Sequence, residues 1–401
     1  MAGMVIIGAG HAAGQAAASL RQEKYTGPIT IIGDEEHVPY QRPPLSKAYL
    51  SGAQEVDRVY LRPEKFYQDK DIELKLATRA TAIDADAKTV ELEDGTKIEY
   101  EKLLISTGSR PRMLSIPGSD LGGIHYLRTI DDVNGIRAEM REGANLVIVG
   151  GGYIGLEVAA VGIEQGLNVH VLEMEDRILQ RVTTPTMSNY YDELHRGRGV
   201  IIHTNTAVTG FGGDGKVQKV LCGDREFAAD MVIVGIGIVP NVELAEAAGL
   251  SCDNGILVDD HCQTSNPDIY AAGDCTNHPN TLLDRRLRLE SVPNAMDQAR
   301  TSVSNMLGGD KSYAAIPWFW SDQYELKLQM VGFSADGNRE VLRGDMASNQ
   351  FAVIYLKDNT VVAADAVNSP KDFMLCKQLV GKEADAAVLG DSASDLKSLL
   401  V

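Results

Sequence analysis

Cysteine does not occur in this sequence before Cys222. The others, Cys252, Cys262, Cys275 and Cys376, form no CxxC pair with it or with each other. Their scatter and odd number argue for reduced thiols in a cytoplasmic compartment rather than for a disulfide framework. HExxH, GxSxG and clustered His/Cys are missing too, so the sequence offers no metal site and no serine-hydrolase elbow. No apolar run reaches membrane-spanning length, and the strand MVIIGAG starts too early to leave room for a signal peptide. Positive charge is in short supply. With 38 Lys and Arg against 56 Asp and Glu, the net charge of −18 excludes nucleic acid as the default partner.

What is present is globular. Hydrophobic residues make up 44% and charged residues 23% of 401 residues, a length that calls for two or three domains. A weak internal repeat organises them. MVIIGAGHAAGQAAASLR reads as strand, glycine turn and small-residue helix, and PITIIGDE comes next as a second strand ending in acids. NLVIVGGGYIGLEVAAVGIEQG and LNVHVLEMEDRIL repeat that plan. From about Ala315 the texture changes to paired strand patterns and then helices, a third α+β unit. The stretch PYQRPPLSKAYL, residues 39–50, reads as a proline-led helix.

The glycine turns carry the chemistry. Gly8-x-Gly10-x-x-Ala13 fits a dinucleotide fingerprint, with Ala12 and Ala13 opening the helix and Asp34 ending the second strand to meet an adenosine ribose. Gly150-x-Gly152-x-x-Gly155, enclosing Tyr153 and Ile154, is the cleaner match, and Glu173 ends its next strand. A carboxylate there pairs with a free ribose 2′-hydroxyl and repels a 2′-phosphate, so NADH is favoured over NADPH, a preference that Arg177 could blunt. Two dinucleotide sites in one chain mean electron traffic between cofactors, most simply a hydride donor and a flavin.

At this point the chain resembles the two-dinucleotide-binding-domain flavoprotein reductases along nearly its whole length. Ile105–Pro111 (ISTGSRP) looks like their crossover out of the FAD domain, Val234–Gly237 with Pro240-Asn241 like the return, and Thr264–Asp274 like the second FAD motif. Arg42-Pro43-Pro44-Leu45-Ser46-Lys47, ESVPNA and PWFWSD are similar to the NADH-dependent ferredoxin reductases that serve bacterial oxygenases. The branch feeding haem-thiolate cytochrome monooxygenases is the nearest, and the reductases of aromatic-ring dioxygenases share much of the pattern.

The resemblance implies an α/β fold of two Rossmann-like domains and a C-terminal α+β domain. A discontinuous FAD domain is expected over 1–108 and 236–313, an NADH domain over 109–235 and the last domain over 314–401. It implies FAD contacts at Arg42, Ala80, Thr107, Gly108, Arg128, Gly273, Asp274 and Val292, besides those of the first glycine turn, and a further cofactor contact at Gly237. Lys47 would bring positive charge to the reduced flavin, Glu157 would partner it beside the nicotinamide, Tyr153 would gate that pocket and Trp320 would flank the isoalloxazine. Trp318 and Trp320, the only tryptophans, share one face of a strand, with Trp318 read as core packing.

The expected partner is a small [2Fe–2S] ferredoxin. Such carriers are acidic, so an acidic reductase needs a local basic patch, for which Arg285, Arg286, Arg288 and Arg300 are the candidates. The oligomeric state expected is a monomer or weak dimer. A disulfide reductase needs two cysteines after the first FAD unit, and a peroxidase or NADH oxidase needs one; none is there. A rubredoxin reductase and a redox-sensing protein like the apoptosis-inducing flavoproteins stay open.

Overall fold

The computed structural model describes residues 2–400 and divides into two compact units. The first joins the chain up to Arg42 with Glu55–Arg110 and Ile238–Pro317; the second joins Pro43–Gln54, Pro111–Gly237 and the chain from Trp318 onward. The expected boundaries were 108, 235 and 313, and the segments expected to form separate NADH and C-terminal domains fall into one unit. The assignment of Pro43–Gln54 to the second unit was not expected.

In the first unit a parallel sheet is centred on Gly3–Ile7, with Ile29–Ile32 and then Ile72–Lys75 on one side and Lys97–Ile105 on the other. Ile269–Ala271 pairs in parallel with the end of Lys97–Ile105, whose beginning instead takes an antiparallel hairpin, Ala80–Asp84 and Thr89–Leu92. The helix His11–Gln22 is buried over most of its surface, because Ala12, Ala13, Ala16 and Ala17 let it press against Ala295, Ala299 and Val303 of the helix Val292–Met306. Side chains this small are the condition for so close an approach.

The second unit repeats the parallel plan in the strand order Ile201–His203, Asn168–Leu172, Asn145–Val149, Met231–Val234, Ile124–Tyr126. Its two central strands, Asn145–Val149 and Met231–Val234, are nearly continuous runs of buried aliphatics, as a parallel sheet covered on both faces requires. The unit also holds a five-stranded antiparallel sheet running from Trp318–Gln323 to Thr360–Val367 in sequence, with the helix Pro370–Leu379 after it.

The proline-led segment differs from expectation. Pro43–Ser46 is a single 3-10 turn that runs on as irregular turns, with backbone bonds reaching back three, four and five residues. Pro43 and Pro44 suit a first helical turn, whose N–H groups have no partner in any case, but no regular i→i−4 ladder follows them.

Candidate functional site

Each parallel sheet ends in a glycine turn, and the two turns match in geometry. Gly8 and Gly150 both sit at φ +105°, where a Cβ would stand 2.2 Å from the Ser106 carbonyl oxygen and 2.5 Å from that of Gly235. Only glycine tolerates both constraints. Gly10 and Gly152 then cap their helices without any side-chain hydrogen bond, and a Cβ on either would meet nothing within 4 Å. Neither helix has an acid in its first turn. By contrast, Ser291 and Thr129 cap other helices with their own hydroxyls. Two open, uncapped N termini with free space above them fit the diphosphates of two dinucleotides.

The second strands differ between the repeats in an instructive way. In the second unit Glu173 directly succeeds its strand, and its carboxylate accepts from Gly151 N at 2.7 Å and Glu175 N at 2.9 Å. In the first unit Gly33 holds that place, and a Cβ there would lie 2.5 Å from the Cβ of Ala9. Ala9 fills the space that Gly151 leaves to a carboxylate, so the acid moves one residue on to the exposed Asp34. Glu35 faces inward instead, accepting from Tyr40 Oη at 2.6 Å and pairing with Arg42 at 2.9 Å. Burial disfavours the Arg42 cation, but Tyr40, Glu35 and Asp274 outweigh it and hold its pKa above the usual value.

The remaining first-unit candidates converge on the strand ends. Ser109 Oγ donates to Asp274 at 2.8 Å, and Thr107 and Asn241 exchange hydrogen bonds at 2.7 and 2.9 Å. Asn241 N also donates to the Gly108 carbonyl. Gly273 is small enough that even a Cβ would only touch Ala12 and Ala295 at 3.7 Å. Val292 opens its helix, and Ala80 is buried at the start of its strand. Cys275, beside Asp274, is fully buried with its thiol pushed up to about 11 by burial, so no thiolate is on offer there.

In the second unit Gly155 packs so closely that a Cβ would meet the Gly150 carbonyl at 2.4 Å. The Tyr153 hydroxyl donates to Met330 Sδ at 2.9 Å, and its ring sits edge-on to Phe319 at 5.1 Å; Ile154 is exposed. Arg177 donates to the Gln180 carbonyl. Arg128 stands at the entrance of the helix Ile130–Glu139, where its N–H donates to Asp132. Gly237 ends this part of the unit, with nothing within 4 Å of a Cβ.

The most concentrated chemistry lies around Glu157. It is the fifth residue of the helix Tyr153–Glu164 and only 4% exposed, so it is not an acid complementing the first turn. Lys47 Nζ donates to its Oε2 at 2.7 Å and Ser46 Oγ to the same oxygen at 2.5 Å, while Ser321 Oγ donates to Oε1 at 2.6 Å. Behind Ser321 stand Gln323, His195 and Tyr324, each hydrogen-bonded to the next. Both carboxylate oxygens are thus satisfied and the charge is paired, which a buried carboxylate needs to persist as an anion. Ser46, Ser321 and His195 were not anticipated as functional. Ser46 and Ser321 stand inside recognised motifs, but nothing in the sequence connects His195 to them.

Trp318 and Trp320 do share a face, with ring centroids 5.9 Å apart; Trp318 packs on Phe373 and lies under Lys377. Of the four arginines, Arg286 is tied to Asn277 and the Val258 carbonyl, Arg288 to Asn254 and Glu290, and Arg300 to Asp297. Arg285 is exposed on the same hairpin.

Comparison with known proteins agrees with this geometry. Residues 3–299 match the pyridine nucleotide-disulphide oxidoreductase model, and residues 318–400 match the reductase C-terminal model. The chain is 43% identical to putidaredoxin reductase CamA of Pseudomonas putida over 99% of its own length and 96% of that protein. It is 42% identical to rhodocoxin reductase of Rhodococcus erythropolis, covering 95% and 90%. The solved covalent putidaredoxin reductase–putidaredoxin complex superimposes with a TM-score of 0.96 at 43% identity, covering 100% of this chain and 98% of that one.

Proposed function

Because this chain belongs to the pyridine nucleotide-disulphide oxidoreductase family, we propose that it is an NADH-dependent ferredoxin reductase, holding FAD at the first glycine turn and NADH at the second. One observation carries the reading. Two open diphosphate cradles occur in a chain with no cysteine before Cys222, and its five cysteines are all free thiols. Electrons that arrive as a hydride have no disulfide to enter, so they leave to an external carrier.

When bound, the two cofactors supply hydride acceptance and single-electron release, and the chain supplies binding, orientation and charge. Gly8, Gly10, Ala12 and Ala13 admit the FAD diphosphate, Asp34 takes its adenosine ribose, and Asp274 with Gly273 takes the ribityl side. Arg42, Ala80, Thr107, Gly108, Arg128 and Val292 complete the FAD contacts. Gly150, Gly152, Ile154, Gly155 and Gly237 admit NADH, with Glu173 on its ribose and Tyr153 at its pocket. Lys47 supplies positive charge to the reduced flavin, Glu157 anchors that lysine and serves the nicotinamide, and Trp320 flanks the flavin ring.

The carrier is a [2Fe–2S] ferredoxin, and the destination a haem-thiolate cytochrome monooxygenase. Arg285, Arg286, Arg288 and Arg300 are the docking candidates, with Arg285, Arg286 and Arg300 exposed. The five free cysteines suit a cytoplasmic enzyme, acting as a monomer or weak dimer. The reading is tested by NADH oxidation with a panel of purified [2Fe–2S] ferredoxins and a rubredoxin. A ferredoxin should be reduced far faster than dioxygen. Preference for the rubredoxin would replace the carrier, and no reduction of any carrier would favour a redox-sensing role.

A further inference from the structure

The hydrogen bonds behind Glu157 have one permitted direction. A carboxylate only accepts, so Ser321, 2.6 Å from Oε1, must give its proton to it. Ser321 Oγ is then left to accept, which fixes the Gln323 amide with Nε2 toward the serine at 3.1 Å and Oε1 toward His195. That carbonyl oxygen requires a hydrogen on His195 Nε2, 2.8 Å away. Burial holds the His195 pKa down to about 4, so the ring is neutral and Nδ1 is bare. The Tyr324 hydroxyl, 3.0 Å away, therefore donates to Nδ1. Any reversal along the chain would set two acceptors or two hydrogens face to face.

The chain crosses three elements: the strand Trp318–Gln323 with its turn at Tyr324, the helix Pro185–Gly197 that carries His195, and the helix of Glu157. Charged groups stand at its two ends and beside His195. Lys47 meets Glu157, Asp192 precedes His195 by one turn, and Arg198, paired with Glu325, lies over the Tyr324 ring at 4.9 Å. Between the ends, the links are neutral and buried. A satisfied buried network of this kind fixes side-chain orientation at a distance.

We propose that His195 is a positioning residue for Glu157, holding Gln323 and through it Ser321 in the orientation that donates to Oε1, and so keeping Oε2 on Ser46 and Lys47. A carboxylate free to rotate would deliver its charge to Lys47 and the nicotinamide in several geometries; a locked one delivers it in one. The inference rests on the proposed function only in giving Glu157 a cofactor to serve.

The test uses the FAD-loaded protein labelled with 15N-histidine. Without NADH or any carrier, His195 should appear as the Nε2–H tautomer. Glu157→Gln, whose amide can offer a hydrogen to Ser321, should move the population toward Nδ1–H, a response that mere packing would not give. In rapid mixing with NADH, His195→Phe should slow flavin reduction about tenfold, and His195→Gln, which keeps one donor and one acceptor, should return to within about twofold of the parent. If the phenylalanine variant does not fold, Tyr324→Phe replaces it in the rate measurement. An unmoved tautomer in Glu157→Gln overturns the proposal whatever the rates, and so does a glutamine variant as slow as the substitution it should rescue. Carrier reduction enters neither readout, so failure of the ferredoxin reading leaves this result standing.

Discussion

Lys47 and Glu157 lie 110 positions apart in sequence and 2.7 Å apart in space. The pair is asymmetric, with the lysine 18% and the glutamate 4% exposed. Removing the cation therefore leaves a buried carboxylate that water cannot reach, whereas removing the glutamate leaves a lysine that can turn outward.

Lys47→Ala should retain FAD yet slow flavin reduction by NADH about tenfold or more, and should lower the melting temperature. Adding Glu157→Ala should recover part of the lost stability without restoring the rate. Stopped-flow reduction and thermal melting of the single and double variants measure both. Unchanged reduction in Lys47→Ala would make the lysine a bystander.

Glu173, proposed to meet the NADH ribose, should govern coenzyme choice. Glu173→Ala removes an acceptor from Gly151 N and Glu175 N as well as a charge, so kcat/KM for NADH should fall about tenfold while that for NADPH falls less. Steady-state kinetics with both coenzymes reads the ratio. An unaltered preference would place the selection elsewhere.

These sites were not equally legible in the sequence. The two glycine turns were, because a tight turn and a packed helix each restrict the residue type at a fixed spacing. The proline-led stretch was misjudged as a helix because Pro43 and Pro44 suit helix entry; the path of the chain beyond them is set by the bonds that Ser46 and Lys47 make with Glu157. Glu35 took a place beside Arg42 that no pattern announced, since whether Asp34 or Glu35 turns inward depends on Ala9 and Gly33 touching. His195 was out of reach altogether. It meets Gln323 across 128 positions, and a lone histidine on a helix carries no local mark of its partner.

Asp365 gives the protein a pH-dependent liability. It is buried on the strand Thr360–Val367, accepts from Thr183 at 2.7 Å and Tyr355 at 2.8 Å, and is pushed from the ordinary 3.8 up to about 6, chiefly by burial. A carboxyl raised on folding contributes most at low pH, and that contribution is lost as pH rises through the folded value. Asp365→Asn, which keeps an acceptor for both hydroxyls, should match the parent near about pH 4 and exceed it above about pH 6, by on the order of 2 kcal/mol. Melting curves at both extremes measure it. A constant gap across that window would contradict the assignment.

The arginines proposed for docking should separate by role. Arg285→Glu should raise the KM for ferredoxin several-fold, with the difference shrinking at high salt, because an exposed rim charge acts mainly on association. Arg286→Glu should instead lower the melting temperature, since its guanidinium holds Asn277 and the Val258 carbonyl. Equal salt-dependent losses in both variants would show the hairpin to act as one charged surface.

The central claim, that a hydride enters and single electrons leave with no thiol between, is tested most directly by an anaerobic single turnover. The FAD-loaded protein is mixed with one equivalent of NADH and excess oxidised [2Fe–2S] ferredoxin, and the absorbance of both centres is monitored. The account predicts two ferredoxins reduced per NADH consumed, with the flavin returned to its oxidised form, and the same stoichiometry after alkylation of every accessible cysteine. A flavin that stays reduced beside oxidised ferredoxin, or a yield abolished by alkylation, would contradict it.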